Sequence, residues 1–330
     1  MATQKNSPLP DGLELSGYRI VKKIASGGFS IVYMAYDDDG NAVAIKEYLP
    51  STLALRRPGE LGLMIPQGNL PVFHIGLKCF FEEGRALARI SHPNVVSVVN
   101  FFRANETVYM VMAYESGHSL QEHILVRRDK GLKPIMSERF IRNMFGQVIN
   151  GLREVHTNKL LHLDLKPANI YLRVSGTPLL LDFGAARQVF NSNVPKLNSM
   201  YTPGFAPPEL YIKGGNIGPW TDIYGLGASI FACMAGVPPQ PADLRKTNDK
   251  MSAYLSKVQS YYTPELIDIV DSCLKIDHME RPKSLFELQK SLTESLKAME
   301  SQQQKPATSK IRAFFSRFGR QPSETTTIVE

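Results

Sequence analysis

The chain has 330 residues, of which 43% are hydrophobic and 21% charged, and its formal net charge is +7. This composition is ordinary for a globular protein with one large domain or two modest lobes. The three cysteines lie far apart with no CxxC pair, which argues against a disulfide framework or a zinc site. The chain has no signal-peptide pattern and no apolar run near the roughly 18 residues of a membrane span, so we expect a cytoplasmic protein.

The positive charge is concentrated near the end of the chain. Residues 301–320 carry five of the seven net charges and contain no acidic residue. A protein that binds nucleic acid is expected to carry its basic residues over a folded face. We therefore predict no nucleic-acid partner and assign the charge to a tail.

In chain order, the first part of the sequence predicts a small β-rich lobe. Residues 1–17 are expected to be an N-terminal leader, and alternating strands with glycine turns follow from Tyr18 to Tyr48. A Pro- and Gly-rich loop, a helix and two more strands are then predicted, at residues 49–76, 77–90, 95–102 and 107–114.

The periodicity changes after Gly117. Apolar residues recur at helical spacing from residue 137 to 158, and helical character continues to about residue 298. Residues 299–330 are rich in Gln, Lys, Pro, Ser and Thr and predict a basic, flexible tail. The predicted fold class is α+β, with a small β-rich lobe at about 18–115 and a larger α-helical lobe at about 116–298.

Two features of the first lobe suggest phosphate chemistry. A glycine turn between two strands can close its backbone amides over a triphosphate, although ordinary hairpins use the same residues. Lys46 lies within an apolar strand, where its charge needs a partner unless its stem carries it to the surface. Glu83 supplies a carboxylate in the predicted helix, and the adjacent Glu82 is the alternative partner.

The segment from His162 to Asn169 carries the most chemistry, together with Asp182-Phe-Gly184. Phosphoryl transfer needs metal ions, a group that orients the acceptor hydroxyl and a cation on the transferred group. Asp182 and Asn169 offer the oxygen ligands that Mg²⁺ prefers. Asp164 is placed to orient the hydroxyl and accept its proton, and Lys166 can reach the γ-phosphate.

These segments resemble the protein-kinase signature set in order and spacing. Further matches are Thr202–Glu209, Asp222–Gly227 and Asp277–Pro282, whose Arg281 resembles the partner of the Glu209 position. The resemblance covers about residues 18–295 and implies the bilobal protein-kinase fold with ATP between the lobes. Lys166 and Thr202 resemble those of serine/threonine kinases, and the wording around Lys46 resembles the bacterial members of the eukaryotic-like family.

The resemblance also implies the site residues and cofactors. The catalytic set is Lys46, Glu83, Asp164 and Lys166, and the metal ligands are Asn169 and Asp182, with Mg²⁺ expected and Mn²⁺ as the alternative. Met112 is expected to be the gatekeeper and Ala113 to Glu115 the hinge that binds the adenine edge. The ATP site is expected to comprise Ala25, Ser26, Gly27, Gly28, Phe29, Ser30, Val32, Ala44, Lys46, Met112, Ala113, Tyr114, Glu115, Asn169 and Asp182.

The sequence departs from the family pattern at three places. Ala25 and Ser30 replace glycines of the phosphate loop, which stiffens it because glycine alone visits positive φ freely. Leu163 replaces the arginine that normally pairs with a phosphorylated activation loop. Our hypothesis is that activity does not require phosphorylation of Ser192 or Ser199. The long 49–76 segment is interpreted as a tolerated surface insertion, with a docking loop as the alternative.

The tail carries a second pattern. On a helix at 310–320, the apolar residues occupy one face and the basic residues the other, as in helices that lie on anionic membranes or in a partner's groove. The alternatives are docking on the kinase body and disorder. The threonine cluster at 325–327 is a candidate autophosphorylation site.

The function predicted is transfer of the γ-phosphoryl group of Mg·ATP to serine or threonine hydroxyls of protein substrates, including the chain itself. Two other classes compete with it. A pseudokinase scaffold is suggested by the altered glycine loop and Leu163, but the intact metal ligands oppose it. A small-molecule kinase is opposed by the Glu209 segment and Arg281, which shape a protein-substrate platform. The oligomeric state is not predicted.

Overall fold

The computed structural model describes residues 6–183, 201–212 and 214–303. The N-lobe is a six-stranded antiparallel sheet with strand order β1-β2-β3-β4-β6-β5. Neighbouring strands along the chain are joined by tight turns, and the apolar side chains of alternating positions face the core. The strands are β1 (Glu14–Leu15), β2 (Tyr18–Ser26), β3 (Ser30–Asp37), β4 (Ala42–Tyr48), β5 (Val98–Ala104) and β6 (Thr107–Ala113).

One long helix, α1 (Leu70–Leu87), packs against this sheet. It begins at Leu70, whereas the sequence predicted a start at Leu77. The difference arises because Pro71 was taken as a loop residue, yet proline is tolerated in the first helical turn, where its missing N–H needs no partner. Phe73, which lies in the added turns, is fully buried.

Residues outside the predicted strands also belong to the N-lobe. Leu9, in the predicted leader, is buried, and its N–H donates to the Tyr33 hydroxyl at 3.1 Å. The segment 49–66, which we call the strap, folds back on itself through a bridge between Leu55 and Met64. Arg56 of the strap is 0% exposed. The interpretation of 49–76 as a surface insertion is therefore wrong for the strap, and residues 6–17 pack as part of the lobe.

The C-lobe is mainly helical, and its core is built on two helices. The apolar positions predicted between 137 and 158 line the buried face of α3, and α4 is buried along almost its whole length. Ser119 and Ser137 cap the first two helices by accepting backbone N–H bonds. The helices are α2 (Leu120–Asp129), α3 (Glu138–Thr157), α4 (Pro219–Ala235), α5 (Ala242–Arg245), α6 (Met251–Ser256), α7 (Pro264–Cys273) and α8 (Leu285–Gln303).

A small antiparallel sheet lies where the two lobes meet. Its strands are β7 (Gly117–Ser119), β8 (Ile170–Arg173) and β9 (Pro178–Leu180), in the order β7-β8-β9. Strand β7 follows the predicted hinge and β8 follows the predicted metal ligand Asn169, so this sheet joins the two parts of the site.

The predicted α+β fold class with a β-rich N-lobe and a helical C-lobe is confirmed. In the part of the chain that the structure describes, no helix is both long and apolar enough to cross a bilayer. The predicted helix at 310–320 and the threonine cluster at 325–327 lie outside the described residues, as do Gly184, Ser192 and Ser199.

Candidate active site

The catalytic loop is shaped by one buried carboxylate. Asp222, on α4, accepts the backbone N–H of His162 at 2.8 Å and that of Leu163 at 2.7 Å. It also contacts His156 Nε2 at 2.8 Å. Leu163 has φ of +62°, a conformation that costs a branched side chain energy. The bonds to Asp222 hold the loop in this conformation and so direct the following residue, Asp164, toward the cleft.

Asp164, Lys166, Asn169 and Thr202 form one hydrogen-bonded group. Lys166 Nζ lies 2.9 Å from Asp164 Oδ2 and donates to Thr202 Oγ1 at 2.8 Å. Asn169 Nδ2 donates to Asp164 Oδ2 at 2.9 Å and to the Asp164 carbonyl at 2.8 Å. Because the amide nitrogen of Asn169 is used in these bonds, its amide oxygen is the atom available to a cation.

The predicted lysine and metal-ligand aspartate meet across the cleft. Lys46 Nζ lies 2.8 Å from Asp182 Oδ1, and the Asp182 side chain is 43% exposed. The Phe80 ring of α1 lies beneath the same ammonium, 5.6 Å from Nζ to the ring centroid. Glu83 follows Phe80 by one helical turn and is 6% exposed, whereas Glu82 is exposed. The pairing of Lys46 with Glu83 stays a prediction.

Phe183 and His162 connect these groups to the core. Their rings stack with centroids 4.5 Å apart, and both side chains are buried. Burial lowers the pKa of His162 below its ordinary 6.5, so the imidazole is neutral near pH 7. Nδ1 then accepts the Asp164 N–H at 3.4 Å.

The glycine turn lies at the tip of the β2–β3 hairpin. A Cβ added to Gly27 or Gly28 would meet no atom within 4 Å, so the space beside these backbones is open. Phe29 and Gly28 accept backbone bonds of 2.8 and 2.9 Å from Leu49 and Ser51, which begin the strap. The predicted residues Ala25 and Ser26 end β2, and Ser30 begins β3.

The remaining predicted ATP residues lie on adjacent strands. Val32 pairs with Lys46, and Ala44 pairs with Met112. Ala44 and Lys46 are two residues apart and therefore project from the same face of β4. Beyond Met112, the chain passes through Ala113, Tyr114 and Glu115 to β7. The structure thus arranges the predicted nucleotide residues along a continuous path.

A second group supports the segment that follows the catalytic loop in space. Arg281 donates to both carboxylate oxygens of Glu209, at 2.7 and 3.1 Å, and Thr221 Oγ1 donates to Oε1 at 3.1 Å. Leu163 lines a small cavity with Tyr201 and Phe205 of the same segment. An apolar side chain thus occupies the place where the family pattern has an arginine.

Sequence reasoning did not single out Tyr171 and Arg173 of β8. Both contact Glu115 of the hinge. Tyrosine and arginine are common at alternate positions of a half-exposed strand, so neither residue produces a signal that a sequence pattern can detect.

Comparisons with known proteins agree with this geometry. The model of the protein kinase domain family matches residues 18–293. The solved structure of PpkA-294 in its apo form has a TM-score of 0.77 and 34% identity, covering 87% of this chain and 100% of that one. The Mycobacterium tuberculosis PknI kinase domain has a TM-score of 0.65 at 21% identity, covering 87% and 99%, which supports the fold alone.

Curated relatives are longer proteins. The probable serine/threonine-protein kinase PknB of Lactococcus lactis is 27% identical over 229 residues, 68% of this chain and 32% of that protein. Serine/threonine-protein kinase PrkC of Bacillus subtilis is 26% identical over 230 residues, 69% and 32%. The aligned region is about a third of the length of these relatives. Residues 18–293, with their site geometry, establish that this chain belongs to the protein kinase family and resembles its eukaryotic-type serine/threonine members, as its motifs predicted.

Proposed function

We propose that this protein transfers the γ-phosphoryl group of ATP to serine or threonine hydroxyls of protein substrates. The contact of Lys166 Nζ with both Asp164 and Thr202 carries the proposal. It places a carboxylate, an ammonium and a hydroxyl of the activation segment within one hydrogen-bonded group. An acceptor hydroxyl that reaches Asp164 therefore meets a base and a cation at the same point.

The donor atoms fit a nucleotide with a divalent metal. The partly exposed carboxylate of Asp182 and the amide oxygen of Asn169 are hard oxygen ligands, which suits Mg²⁺, with Mn²⁺ as the alternative. The open space at Gly27 and Gly28 leaves room for phosphates beside backbone amides. When bound, the metal neutralises phosphate charge and ATP supplies the phosphoryl group.

The residues of the chain have separate roles in the proposed reaction. Lys46 binds the α- and β-phosphates, and Glu83 rather than Glu82 orients it, because Glu83 is the buried carboxylate of the pair. Asp164 orients the acceptor hydroxyl and accepts its proton. Lys166 stabilises the charge on the transferred group, and its bond to Thr202 keeps it in position.

The test is phosphotransfer from Mg·ATP by purified wild-type protein and by Asp164→Asn, with phosphosites mapped by mass spectrometry. We expect phosphate on Ser or Thr with the wild type and a loss of about 10²–10⁴-fold in kcat with the variant. ATP binding by Asp164→Asn serves as the control for folding. Intact ATP binding by the wild type without any transfer would contradict the proposal and favour the scaffold function.

We further propose that residues 18–298 form the catalytic domain and that the tail at 299–330 attaches the protein to the inner membrane face from the cytoplasm. The basic and aromatic composition of 310–320 supports a peripheral contact with an anionic surface or a partner's groove. Co-sedimentation with anionic liposomes should be lost when the chain is truncated after residue 300. Unchanged co-sedimentation would contradict the membrane contact.

A further inference from the structure

The hinge residue Glu115 is held at two of its atoms by strand β8. The Tyr171 hydroxyl donates to the Glu115 carbonyl at 3.2 Å, and Arg173 Nη2 lies 2.9 Å from Glu115 Oε1. Tyr171 and Arg173 are two residues apart, so both project from the same face of the strand. Strand β8 therefore fixes both the main chain and the side chain of Glu115.

Arg173 also reaches the other connection between the lobes. Its Nη1 donates to the Pro93 carbonyl at 2.7 Å. Pro93 lies between α1 and β5, and the next residue, Asn94, donates from Nδ2 to the Pro178 carbonyl on β9 at 2.7 Å. One guanidinium thus joins the hinge to the loop that leaves α1, the helix that carries Glu83.

The chain that leaves the hinge is pressed against the same strand. Val174 N–H donates to the Ser116 carbonyl at 3.0 Å. Gly117 has φ of +158°, and a Cβ added there would lie 2.0 Å from the Leu172 carbonyl oxygen, so no larger residue fits. Residues 115–117 are therefore held on the C-lobe.

On the other side of the hinge, Ala113 belongs to the N-lobe sheet. It pairs with Val43, and its N–H donates to the Ser97 carbonyl at 3.0 Å. Tyr114 is the residue between the two anchored segments. The relative orientation of the lobes at the adenine edge therefore depends on how firmly Glu115 is held.

We propose, resting on the function proposed above, that Arg173 is a positioning residue that clamps the hinge and so presents the backbone of residues 113–115 to the purine ring. Tyr171 supports the same clamp through its hydroxyl. Arg173 has no role in the chemical step, because its contacts are with Glu115 and Pro93 rather than with the reacting groups. Its loss should thus weaken nucleotide binding and spare phosphotransfer.

The experiment compares Arg173→Met, Glu115→Gln and the double variant in the full-length protein. Because the ion pair is partly exposed, we expect KM for ATP to rise about two- to fivefold in each, with kcat unchanged. The double variant should resemble the single variants, since both remove the same interaction. Arg153→Met is the matched control, because Arg153 lies on α3 and bonds Gln289 of α8 at 2.9 Å.

Amide hydrogen exchange in residues 113–118 gives a second measurement that does not require activity. Exchange should be faster in Arg173→Met and Glu115→Gln than in the wild type and Arg153→Met. Unchanged exchange, an unchanged KM, or additive effects in the double variant would overturn the clamp. A wild type without phosphotransfer would instead refute the proposed function, while the exchange data still decide the clamp.

Discussion

Buried carboxylate–guanidinium pairs occur in both lobes, and their surroundings differ. In the N-lobe, Glu47 accepts bonds from both terminal nitrogens of Arg56 and from the hydroxyls of Tyr33 and Tyr109, at 2.8 and 2.6 Å. Burial, reinforced by Glu47, raises the pKa of both tyrosines, so the hydroxyls stay protonated donors. This strap cluster, made of Tyr33, Glu47, Arg56 and Tyr109, joins β3, β4, β6 and the strap.

In the C-lobe, Arg281 pairs with Glu209 and also donates to the carbonyls of Lys275 and Trp220, at 2.9 Å each. Glu209 ends the segment that begins with Thr202, which contacts Lys166. The strap cluster has no such connection to the acceptor side of the cleft. The comparison teaches that two pairs of similar burial can differ in function, because only one is linked to the reacting groups.

The largest expected effect is on stability, from removal of the strap arginine. Arg56→Met leaves the Glu47 carboxylate buried without its cation and should lower the free energy of unfolding by about 3–5 kcal/mol. The folded fraction should keep the kcat of the wild type. Urea denaturation measures the first quantity, and Arg57→Met is the control, since Arg57 is exposed and should change stability by less than about 0.5 kcal/mol.

Arg281→Met should separate the two clusters. Its loss of stability should be similar, about 3–5 kcal/mol, because Glu209 is also left buried and unpaired. Unlike Arg56→Met, it should also lower kcat of the folded protein by about tenfold or more, because the Thr202 segment moves. Equal kcat values for the two variants, measured well below their melting temperatures, would remove the distinction.

Thr202→Ala should show the reverse of Arg56→Met, with lower activity at almost constant stability. It removes the acceptor of the 2.8 Å bond from Lys166, so we expect kcat to fall about tenfold. Thr202→Ser keeps the hydroxyl and should retain activity. If the serine variant were as inactive as the alanine variant, the lost contact would be that of the methyl group instead.

The pH dependence of stability should come from the catalytic side. The folded pKa of His162 is lowered by burial, so the unfolded chain binds more protons below pH 6.5. Stability is therefore expected to fall as pH decreases from about 6.5, by at most about 1.4 kcal/mol per pH unit for this residue. His162→Phe should flatten the slope. Arg56→Met should keep it, because the strap cluster contains no histidine.

The smallest effect is expected from Ser199→Ala, which should leave kcat within about twofold of the wild type. Leu163 provides no guanidinium for a phosphorylated loop, and it lies instead beside Tyr201 and Phe205. The assay is phosphotransfer by protein purified after phosphatase treatment, and Ser192→Ala is the companion variant. Loss of activity in either variant would show that loop phosphorylation acts through another residue.

Much of the site could be predicted because its residues form contiguous motifs. Asp164, Lys166 and Asn169 lie within one short turn, where local geometry dictates their mutual contacts, and the structure brings them together. The preference for Glu83 over Glu82 was harder, since neighbouring residues of a helix differ by about 100° in direction and a small change of register exchanges them. Their different burial favours Glu83.

The sequence alone was sufficient for the family, the α+β lobes and the residues proposed for catalysis. These depend on short-range spacing and on the periods of strands and helices. The tertiary structure was needed to find the buried Arg56, the packing of Leu9 and the contacts of Arg173 with Glu115 and Pro93. Each of these depends on residues distant in sequence that meet only in the folded chain, and a polar residue in a Pro- and Gly-rich segment carries no local sign of its partner.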